Sequence, residues 1–231
     1  MRYRALACDY DGTLADAGAV APHVRAALVR LRAAGVLLVL VTGRRLEDLD
    51  RACPGARALF DAIVAENGGV LLLPPATVPR RLGPAAPPEL LERLRDLGVV
   101  PVVAGDVVVA TLRPYETEAV AAVRALGLDL EAVYNKAALM LLPAGVDKGS
   151  GLDAALGALR VAPADTVGIG DGENDLPLLA RCGLAVAVAG AVPALEAAAD
   201  LVTPGGPGDG VAEIADALLA GDEATLTGVS A

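Results

Sequence analysis

Three short apolar runs, each separated from the next by a helical pattern, most constrain the fold of this chain. Residues 4–8, 36–41 and 62–65 are rich in Ala, Val, Leu and Ile, and their length is that of buried strands. Helical patterns at residues 22–34 and 46–52 lie between them. The order strand, helix, strand, helix, strand is typical of an α/β fold with a Rossmann-like parallel sheet and helices on both faces.

The composition of the sequence changes after residue 73. Six prolines fall within residues 74–88, which therefore cannot form a regular helix or a central strand. Two helix-strand-strand patterns follow and predict a small α+β domain with an antiparallel sheet and helices on one face. They place helices at 89–97 and 115–126, and strands at 99–103, 107–110, 130–134 and 138–142. Alternation resumes with a helix at 150–159 and strands at 166–169 and 184–188, so we predict a core of residues 1–73 and 146–220, an insert of residues 74–145 and a loose tail of residues 221–231.

Charge and composition exclude several classes of protein. The net charge is −10 and no cluster of Lys and Arg occurs, which disfavours binding to nucleic acid. The longest aliphatic run, residues 36–41, is far shorter than the roughly 20 residues of a membrane helix. The N-terminal apolar run stops at Asp9, unlike a secretion signal, so we expect a cytoplasmic protein. Three scattered cysteines without a CxxC pair argue against disulfides and zinc.

The first polar motif, Asp9-Tyr10-Asp11-Gly12-Thr13, directly follows a predicted strand. The carboxyl ends of strands are where open α/β sheets bind ligands. Asp9 and Asp11 fall on one side of the chain, and two carboxylates this close need a cation or a proton between them. Mg²⁺, which prefers oxygen ligands, resolves the repulsion. A simple Asp-Gly turn is the alternative at this motif alone.

Two further motifs could hold a phosphoryl group. Thr42 and Gly43 end the second strand, and their hydroxyl and backbone N–H can donate to a phosphoryl oxygen, although Thr42 could instead only cap a helix. Lys148 precedes a helix and could neutralise a phosphoryl group, or could be solvated. The chain has only two lysines, Lys136 and Lys148, so a specific role for a lysine is favoured.

The fourth motif, residues 170–175 (Gly-Asp-Gly-Glu-Asn-Asp), again follows a buried strand and precedes a helix. Asp171 and Asp175 can both face one metal ion, directly or through water. Asn174 can reach a substrate or orient the loop. A glycine-rich turn alone does not account for three acids and an Asn at the carboxyl end of a strand.

The four motifs, in this order, resemble those of the haloacid dehalogenase (HAD)-like phosphohydrolases. The likeness extends over nearly the whole chain. The insert lies between the second and third motifs, which is similar to the second class of cap domain (C2) in Cof-type enzymes. Residues 66–69 (Glu-Asn-Gly-Gly) resemble the ENGA signature of that group. The abbreviated cap is similar to that of archaeal-type phosphoglycolate phosphatases and of the sucrose-phosphate phosphatase-like group.

The resemblance implies a Mg²⁺-dependent phosphatase for a small phosphorylated metabolite, such as phosphoglycolate or a sugar phosphate, with substrate selection by the cap. Asp9 would attack phosphorus and form an aspartyl-phosphate, and Asp11 would act as general acid and then as general base. The implied catalytic residues are Asp9, Asp11, Thr42 and Lys148; the substrate ligands Thr42, Gly43, Lys148 and Asn174; the metal ligands Asp9, Asp11 (through its backbone carbonyl), Asp171 and Asp175.

Three other functions share parts of this pattern. A phosphotransferase or phosphomutase would use every motif and differ only in the acceptor. A two-component receiver domain also clusters Asp, Thr and Lys, but it lacks the insert. A catalytically silent phosphate-binding protein would have lost one of the expected groups. Of the remaining polar residues, Arg44 is expected to face substrate or solvent. His23 is expected at the surface, and Arg113 or Tyr115 is expected to lean toward the site from the cap.

Overall fold

The computed structural model describes residues 2–221, so the predicted tail lies outside the described residues except for Gly221. Within this range no helix is both long enough and apolar enough to cross a membrane. The strands are β1 (Ala5–Cys8), β2 (Leu37–Val41), β3 (Ala62–Ala65), β4 (Val70–Leu72), β5 (Arg80–Arg81), β6 (Val103–Ala104), β7 (Val109–Leu112), β8 (Leu130–Asn135), β9 (Ala138–Pro143), β10 (Thr166–Gly170), β11 (Leu184–Ala187) and β12 (Leu201–Val202). The helices are α1 (Pro22–Ala33), α2 (Leu46–Ala52), α3 (Ala56–Leu59), α4 (Pro88–Asp96), α5 (Glu116–Ala125), α6 (Lys148–Leu159), α7 (Leu176–Leu179), α8 (Pro193–Ala198) and α9 (Asp209–Ala220).

The larger sheet has eight strands in the order β12-β11-β10-β1-β2-β3-β4-β5. The six strands from β12 to β3 run parallel, and β4 and β5 are antiparallel to their neighbours. In the middle of the sheet, Ala5 of β1 pairs with Leu37 of β2 and with Thr166 of β10. The predicted parallel sheet is therefore confirmed, with two antiparallel strands at one edge.

Helices cover both faces of this sheet, as predicted. Side chains alternate between the faces along each strand. Leu6 of β1 lies in one buried cluster with Leu28 of α1, and Ala7 lies in another with Leu152 of α6. Because β1 is buried on both faces, it is apolar at every position rather than alternating. Full burial of each leucine contributes about 1.5–3 kcal/mol to folding.

The smaller sheet is antiparallel, with four strands in the order β6-β7-β9-β8. Helices α4 and α5 pack on one of its faces, where Leu90 and Ala122 share a buried cluster with Leu139. The predicted sheet with helices on one face is thus confirmed. The strand predicted at residues 99–103 is reduced to β6, because Pro101 has no N–H to donate to a neighbouring strand.

The larger sheet continues beyond residue 73, where the sequence predicts its first segment to end. Arg81 of β5 pairs with Val70 of β4, and Arg80 pairs with Leu71. The prolines in residues 74–79 keep that stretch irregular, whereas residues 80–81 have backbone N–H groups that can join a sheet. The larger sheet therefore includes residues 80–81, which lie beyond the predicted boundary at residue 74. The division into core and cap stays a prediction.

Candidate active site

The carboxyl ends of three neighbouring parallel strands carry the predicted motifs. Asp9 follows β1, Thr42 follows β2 and Asp171 follows β10. Since β1 pairs with β2 on one side and with β10 on the other, the three residues meet at one edge of the sheet. All three are buried, each with 5% or less of its surface exposed. The sequence motifs therefore converge on one place.

A buried acidic cluster consists of Asp9, Asp171 and Asp175. Their carboxylate oxygens lie within 4.8 Å of one another. Lys148 Nζ donates to Asp9 Oδ1 at 2.5 Å and to Asp175 Oδ1 at 2.5 Å. Three carboxylates around one buried ammonium leave excess negative charge, which a bound cation would offset. The donor set, oxygen atoms only, fits a hard divalent cation.

The protonation of this cluster depends on burial and on Lys148. Burial raises the pKa of Asp9 well above its ordinary value; Lys148 opposes that shift, whereas Asp175 adds to it. Burial lowers the pKa of Lys148, but the charges of Asp175 and Asp9 leave that pKa above its ordinary value. A divalent cation in the cluster would lower the pKa of Asp9, because an opposite charge favours the ionised carboxylate.

Lys148 is the first residue of α6, which is well capped. The Asp147 side chain accepts the Ser150 N–H at 2.7 Å, and Ser150 Oγ accepts the Asp147 N–H at 3.0 Å. The N-terminus of a helix carries partial positive charge, so a lysine there is unfavourable on its own. The carboxylates of Asp9 and Asp175 offset this cost. The place of Lys148 is explained by the acidic cluster rather than by the helix.

Asp11 lies beside Arg44 and outside the acidic cluster. Arg44 Nε donates to Asp11 Oδ2 at 2.7 Å, and Nη2 donates to Oδ1 at 2.6 Å. The Arg44 guanidinium also lies 5.1 Å from the centroid of the Tyr10 ring. Arg44, expected to face substrate or solvent, thus holds the predicted acid-base residue. Of Asp11, only the backbone carbonyl remains a candidate metal ligand.

Thr42 and Gly43 keep donors that a phosphoryl group could use. The Thr42 backbone N–H donates to Val64 O at 2.8 Å, which anchors the residue to β3. Thr42 Oγ1 accepts the Arg44 N–H at 3.1 Å, so its own hydrogen can point elsewhere. The Gly43 N–H has no acceptor among the described residues. Both groups remain candidate substrate ligands.

Asp175 shapes the loop of the fourth motif. Its Oδ2 accepts the N–H groups of Asp171 at 3.0 Å and of Gly172 at 2.9 Å. Asp171 is held in turn by Thr13 Oγ1, which donates to its Oδ1 at 2.9 Å, and by Lys136 Nζ, which donates to its Oδ2 at 2.8 Å. The orientation of Asp171 is therefore fixed by the first motif and by the smaller sheet together.

Asn174 joins this loop to residues 66–69. Its Nδ2 donates to Asn67 Oδ1 at 2.9 Å, and its Oδ1 is buried without a partner among the described residues. Gly68 has a φ of +103°, and a Cβ there would overlap the backbone of Asp147. A glycine at this position lets residues 66–69 contact the start of α6. Asn174 therefore orients the loop, and the second hydrogen of its Nδ2 leaves it a candidate donor to a substrate.

Glu66 links the two sheets. Its carboxylate accepts the N–H groups of Asp106 at 2.9 Å, Val107 at 2.8 Å and Val108 at 3.0 Å, all between β6 and β7. Only 3% of Glu66 is exposed. A buried carboxylate with three N–H donors is a strong anchor, because ionised acceptors make the stronger hydrogen bonds. Glu66 thus fixes the loop between β6 and β7 on the larger sheet.

Sequence reasoning did not predict the contacts of several residues that the structure places in or beside the site. Thr13 and Arg44 each follow a motif residue within two positions, so proximity was a usable signal. The scarcity of lysine pointed to Lys136, but nothing in the sequence gave its partner. The site contacts missed in this way involve Thr13, Arg44, Glu66, Asn67 and Lys136.

The sequence analysis also made predictions about Arg113, Tyr115 and His23. Arg113 Nη2 lies 3.5 Å from Glu173 Oε1 in the fourth motif, so it faces the site from the smaller sheet. Tyr115 instead packs against the apolar cluster of that sheet. His23 is exposed and bonds Asp209 at 2.8 Å, which confirms it as a surface residue.

Comparison with known proteins identifies the family. The family model of haloacid dehalogenase-like hydrolases matches residues 6–76 and 107–214. A phosphoglycolate phosphatase of Methanothermobacter thermautotrophicus is 34% identical over 229 residues, covering 91% of this chain and 96% of that protein. A phosphoglycolate phosphatase of Haloarcula marismortui is 34% identical over 219 residues, covering 90% of this chain and 94% of that protein. A solved haloacid dehalogenase-like hydrolase from Bacteroides thetaiotaomicron has the same fold, with a TM-score of 0.77 at 21% identity, covering 94% of this chain and 99% of that one.

Fold and motifs thus define an α/β enzyme with an acidic, aspartate-based site. The chain belongs to the haloacid dehalogenase-like hydrolases. The predicted superfamily with its Cof-type placement is confirmed, and so is the predicted enzyme class, a phosphatase. The acidic cluster is consistent with the divalent metal that such phosphatases use.

Proposed function

We propose that this protein hydrolyses phosphoglycolate, or a closely similar small phosphate ester, with Mg²⁺ as cofactor and Asp9 as covalent nucleophile. The observation that carries the proposal is the position of Lys148, whose ammonium lies between Asp9 and Asp175 inside the buried acidic cluster. The curated relatives named as phosphoglycolate phosphatases support the choice of substrate.

The first step is attack on phosphorus. Asp9 Oδ1 accepts from Lys148, so Asp9 Oδ2 is the candidate attacking oxygen. The new bond joins Asp9 Oδ2 to phosphorus, and the bond from phosphorus to the ester oxygen breaks in line with it. Asp11 gives its proton to the departing oxygen. The products of this step are an aspartyl-phosphate and the free alcohol.

The second step returns the enzyme to its starting state. Asp11, now ionised, takes a proton from a water molecule, and that water attacks phosphorus. The bond between phosphorus and Asp9 breaks, which releases inorganic phosphate and restores both carboxyl groups. One residue can serve in both steps because its protonation state after the first step is the one that the second requires.

Positive charge must offset the transferring phosphoryl group. Lys148 supplies it from the buried side, and Thr42 Oγ1 and the Gly43 N–H are the candidate hydrogen-bond donors to its oxygens. Mg²⁺ held by Asp9, Asp171 and Asp175, with the Asp11 backbone carbonyl, would neutralise developing charge on that group. Fixed charges and donors matter most here, because phosphoryl transfer depends mainly on positioning and electrostatics.

The size of the nearby cavity favours a small substrate. A cavity of about 270 Å³ lies between β8 and the fourth motif, and Lys148 and Asn174 line it. Sites for drug-sized ligands usually enclose about 300–1,000 Å³. Neither this cavity nor a second cleft of about 400 Å³, beside Arg45 and Glu47, is lined by a carboxylate of the acidic cluster. We therefore place the phosphoryl group at the acidic cluster itself, beside the smaller cavity, which Lys148 also lines.

Phosphate release with and without Mg²⁺ tests this proposal. Phosphoglycolate, sugar phosphates, nucleotides and p-nitrophenyl phosphate are compared on the wild type, on Asp9→Asn, and on Asp96→Asn as a matched control at an exposed position. We expect phosphoglycolate to be preferred, with activity lost in EDTA and in Asp9→Asn but kept in Asp96→Asn. Added alcohols check for transfer, because a phosphotransferase would phosphorylate them in place of water.

Two results would contradict the proposal. Asp9→Asn activity within tenfold of the wild type would remove Asp9 as nucleophile. If no ester were turned over although Mg²⁺ binds, the function would instead be that of a phosphotransferase or of a silent phosphate-binding protein. A cytoplasmic location stays a prediction.

A further inference from the structure

Both lysines of the chain end at the same acidic cluster. Lys148 donates to Asp9 and Asp175, and Lys136 donates to Asp171 at 2.8 Å. The two come from different parts of the fold, Lys148 from the start of α6 and Lys136 from the turn between β8 and β9. In a chain with 19 Lys and Arg residues in total, this use of its two lysines points to the site.

The two ammonium groups have different surroundings. The Lys148 side chain is fully buried and is held between two carboxylates. The Lys136 side chain is 57% exposed, and Asp171 is its one hydrogen-bond partner among the described residues. An ammonium has three donors, so Lys136 keeps donors for a ligand. Lys148 belongs to the buried end of the site, and Lys136 to its open side.

The turn that carries Lys136 is built to face the first motif. Lys136 has a φ of +52°, a conformation that side chains other than Gly, Asn and Asp seldom adopt. A Cβ added to Gly12 would lie 2.8 Å from Lys136 Nζ and would overlap Asp171 Oδ2. Glycine at position 12 therefore leaves the room that the ammonium occupies. The ammonium lies directly over the loop that contains Asp9 and Asp11.

We propose that Lys136 binds a second anionic group of the substrate, a carboxylate close to the phosphate, and so makes this site selective for short phosphorylated acids. This proposal rests on the proposed phosphatase function. Lys148 and Thr42 face the phosphoryl group from the buried side, so the rest of the ester lies toward the smaller sheet, where Lys136 is. Arg113, another cation on this side, lies 3.5 Å from Glu173, which is not a member of the acidic cluster, whereas Lys136 contacts Asp171, which is.

The distance between the two anions limits the length of the substrate. Lys136 Nζ is in contact with Asp171, whose carboxylate belongs to a cluster only 4.8 Å across. A carboxylate bound by Lys136 must therefore lie a few ångströms from the phosphoryl group. A two-carbon or three-carbon acid meets this condition, whereas a long sugar phosphate would carry its far end past the ammonium.

The test compares two esters of similar size that differ in charge, phosphoglycolate and ethyl phosphate. The measured quantity is the ratio of their kcat/KM values for the wild type, Lys136→Met, Lys136→Arg and Arg124→Met. Arg124 is an exposed residue of α5, so Arg124→Met changes the net charge as Lys136→Met does without touching the site. We expect Lys136→Met to lower the ratio at least tenfold, Arg124→Met to keep it, and Lys136→Arg to restore part of it.

Binding measured without turnover separates this proposal from the proposed function. Calorimetry on Asp9→Asn protein with Mg²⁺ should give a phosphoglycolate affinity at least tenfold above that for ethyl phosphate, and adding Lys136→Met should remove the difference. If the wild type hydrolyses neither ester, phosphatase function fails, but this comparison still tests Lys136. Equal losses for both esters in Lys136→Met, in turnover or in binding, would overturn the proposal.

Discussion

Arg44 holds both carboxylate oxygens of Asp11, with hydrogen bonds of 2.7 and 2.6 Å. Each oxygen has a second site, so a proton carried there can pass to a leaving oxygen while Arg44 still holds Asp11 in place. Arg44 is therefore a positioning residue for the acid-base step. It holds the Asp11 carboxylate outside the cluster of Asp9, Asp171 and Asp175.

Replacement of Arg44 should slow turnover through Asp11. We expect Arg44→Ala to lower kcat about tenfold to a hundredfold, the usual cost of misplacing a reacting group. The kcat of Arg44→Lys should lie between those of the wild type and Arg44→Ala, because an ammonium keeps the charge but cannot bind both Asp11 oxygens as the guanidinium does. The loss should be smaller with p-nitrophenyl phosphate, whose leaving group needs no proton. Arg51→Ala, on an exposed part of α2, is the matched control; equal kcat values for it and Arg44→Ala would contradict the role.

Removal of Lys148 should destabilise the fold in the absence of metal. Lys148→Met leaves Asp9 and Asp175 buried without their cation, which costs about 3–5 kcal/mol. We expect Mg²⁺ to restore part of the loss, because it binds the same carboxylates. Urea unfolding of the wild type, Lys148→Met and the control Arg124→Met, with and without Mg²⁺, measures both effects. Equal free energies of unfolding for Lys148→Met and the wild type without Mg²⁺ would show that Lys148 does not stabilise the buried Asp9 and Asp175 carboxylates.

The stability of Lys148→Met should fall as pH rises, and by more than that of the wild type. The raised pKa of Asp9 means that the folded protein binds more protons there than the unfolded chain does. Stability from this group is present at low pH and is lost as pH rises above the ordinary carboxyl pKa toward the raised one. Without Lys148, which opposes that shift, the loss should be larger and should extend to higher pH. A flatter profile for Lys148→Met than for wild type would contradict this account.

Glu66 should control how firmly the smaller sheet is attached. Glu66→Ala leaves three backbone N–H groups of residues 106–108 without their acceptor, and each buried, unpaired group costs about 1–3 kcal/mol. We expect a lower midpoint of unfolding and faster proteolysis between β6 and β7. Glu47→Ala, at a mostly exposed side chain nearby, is the control. Proteolysis of Glu66→Ala at the wild-type rate would exclude this role.

The cysteines should be unreactive in the folded protein. Cys8 and Cys53 are buried, and burial raises the pKa of Cys182 to about 12. At pH 8 only about 10⁻⁴ of such a thiol is ionised, and the thiolate is the reactive form. A thiol reagent such as DTNB should therefore react slowly with native protein and rapidly with all three thiols in urea. Rapid reaction of one native thiol would contradict this.

The parallel sheet and the place of the four motifs could be predicted because they depend on local patterns. β1 and β3 are unbroken apolar runs, and each motif follows a strand or opens a helix at a position visible in the sequence. The short edge strand β5 and the final helix α9 were not predicted. β5 has exposed arginines and no apolar pattern, so only its pairing with β4 defines it.

Contacts between distant residues could not be predicted in the same way. Lys136 reaches Asp171, and Glu66 reaches residues 106–108, only because the smaller sheet packs against the larger one. The pairing of Arg44 with Asp11 likewise depends on β2 lying beside β1. Composition favoured a role for lysine, but the partner of each side chain is set by tertiary packing.

Covalent trapping on Asp9 tests the central claim most directly. Asp11→Asn protein with Mg²⁺ is mixed with p-nitrophenyl phosphate, quenched in acid, digested and analysed by mass spectrometry. We predict that the peptide containing Asp9 gains the mass of one phosphoryl group, and that the gain is absent in EDTA and in protein that also carries Asp9→Asn. Phosphoryl groups on another residue, or on none while p-nitrophenol is still released, would contradict the claim that Asp9 is the nucleophile.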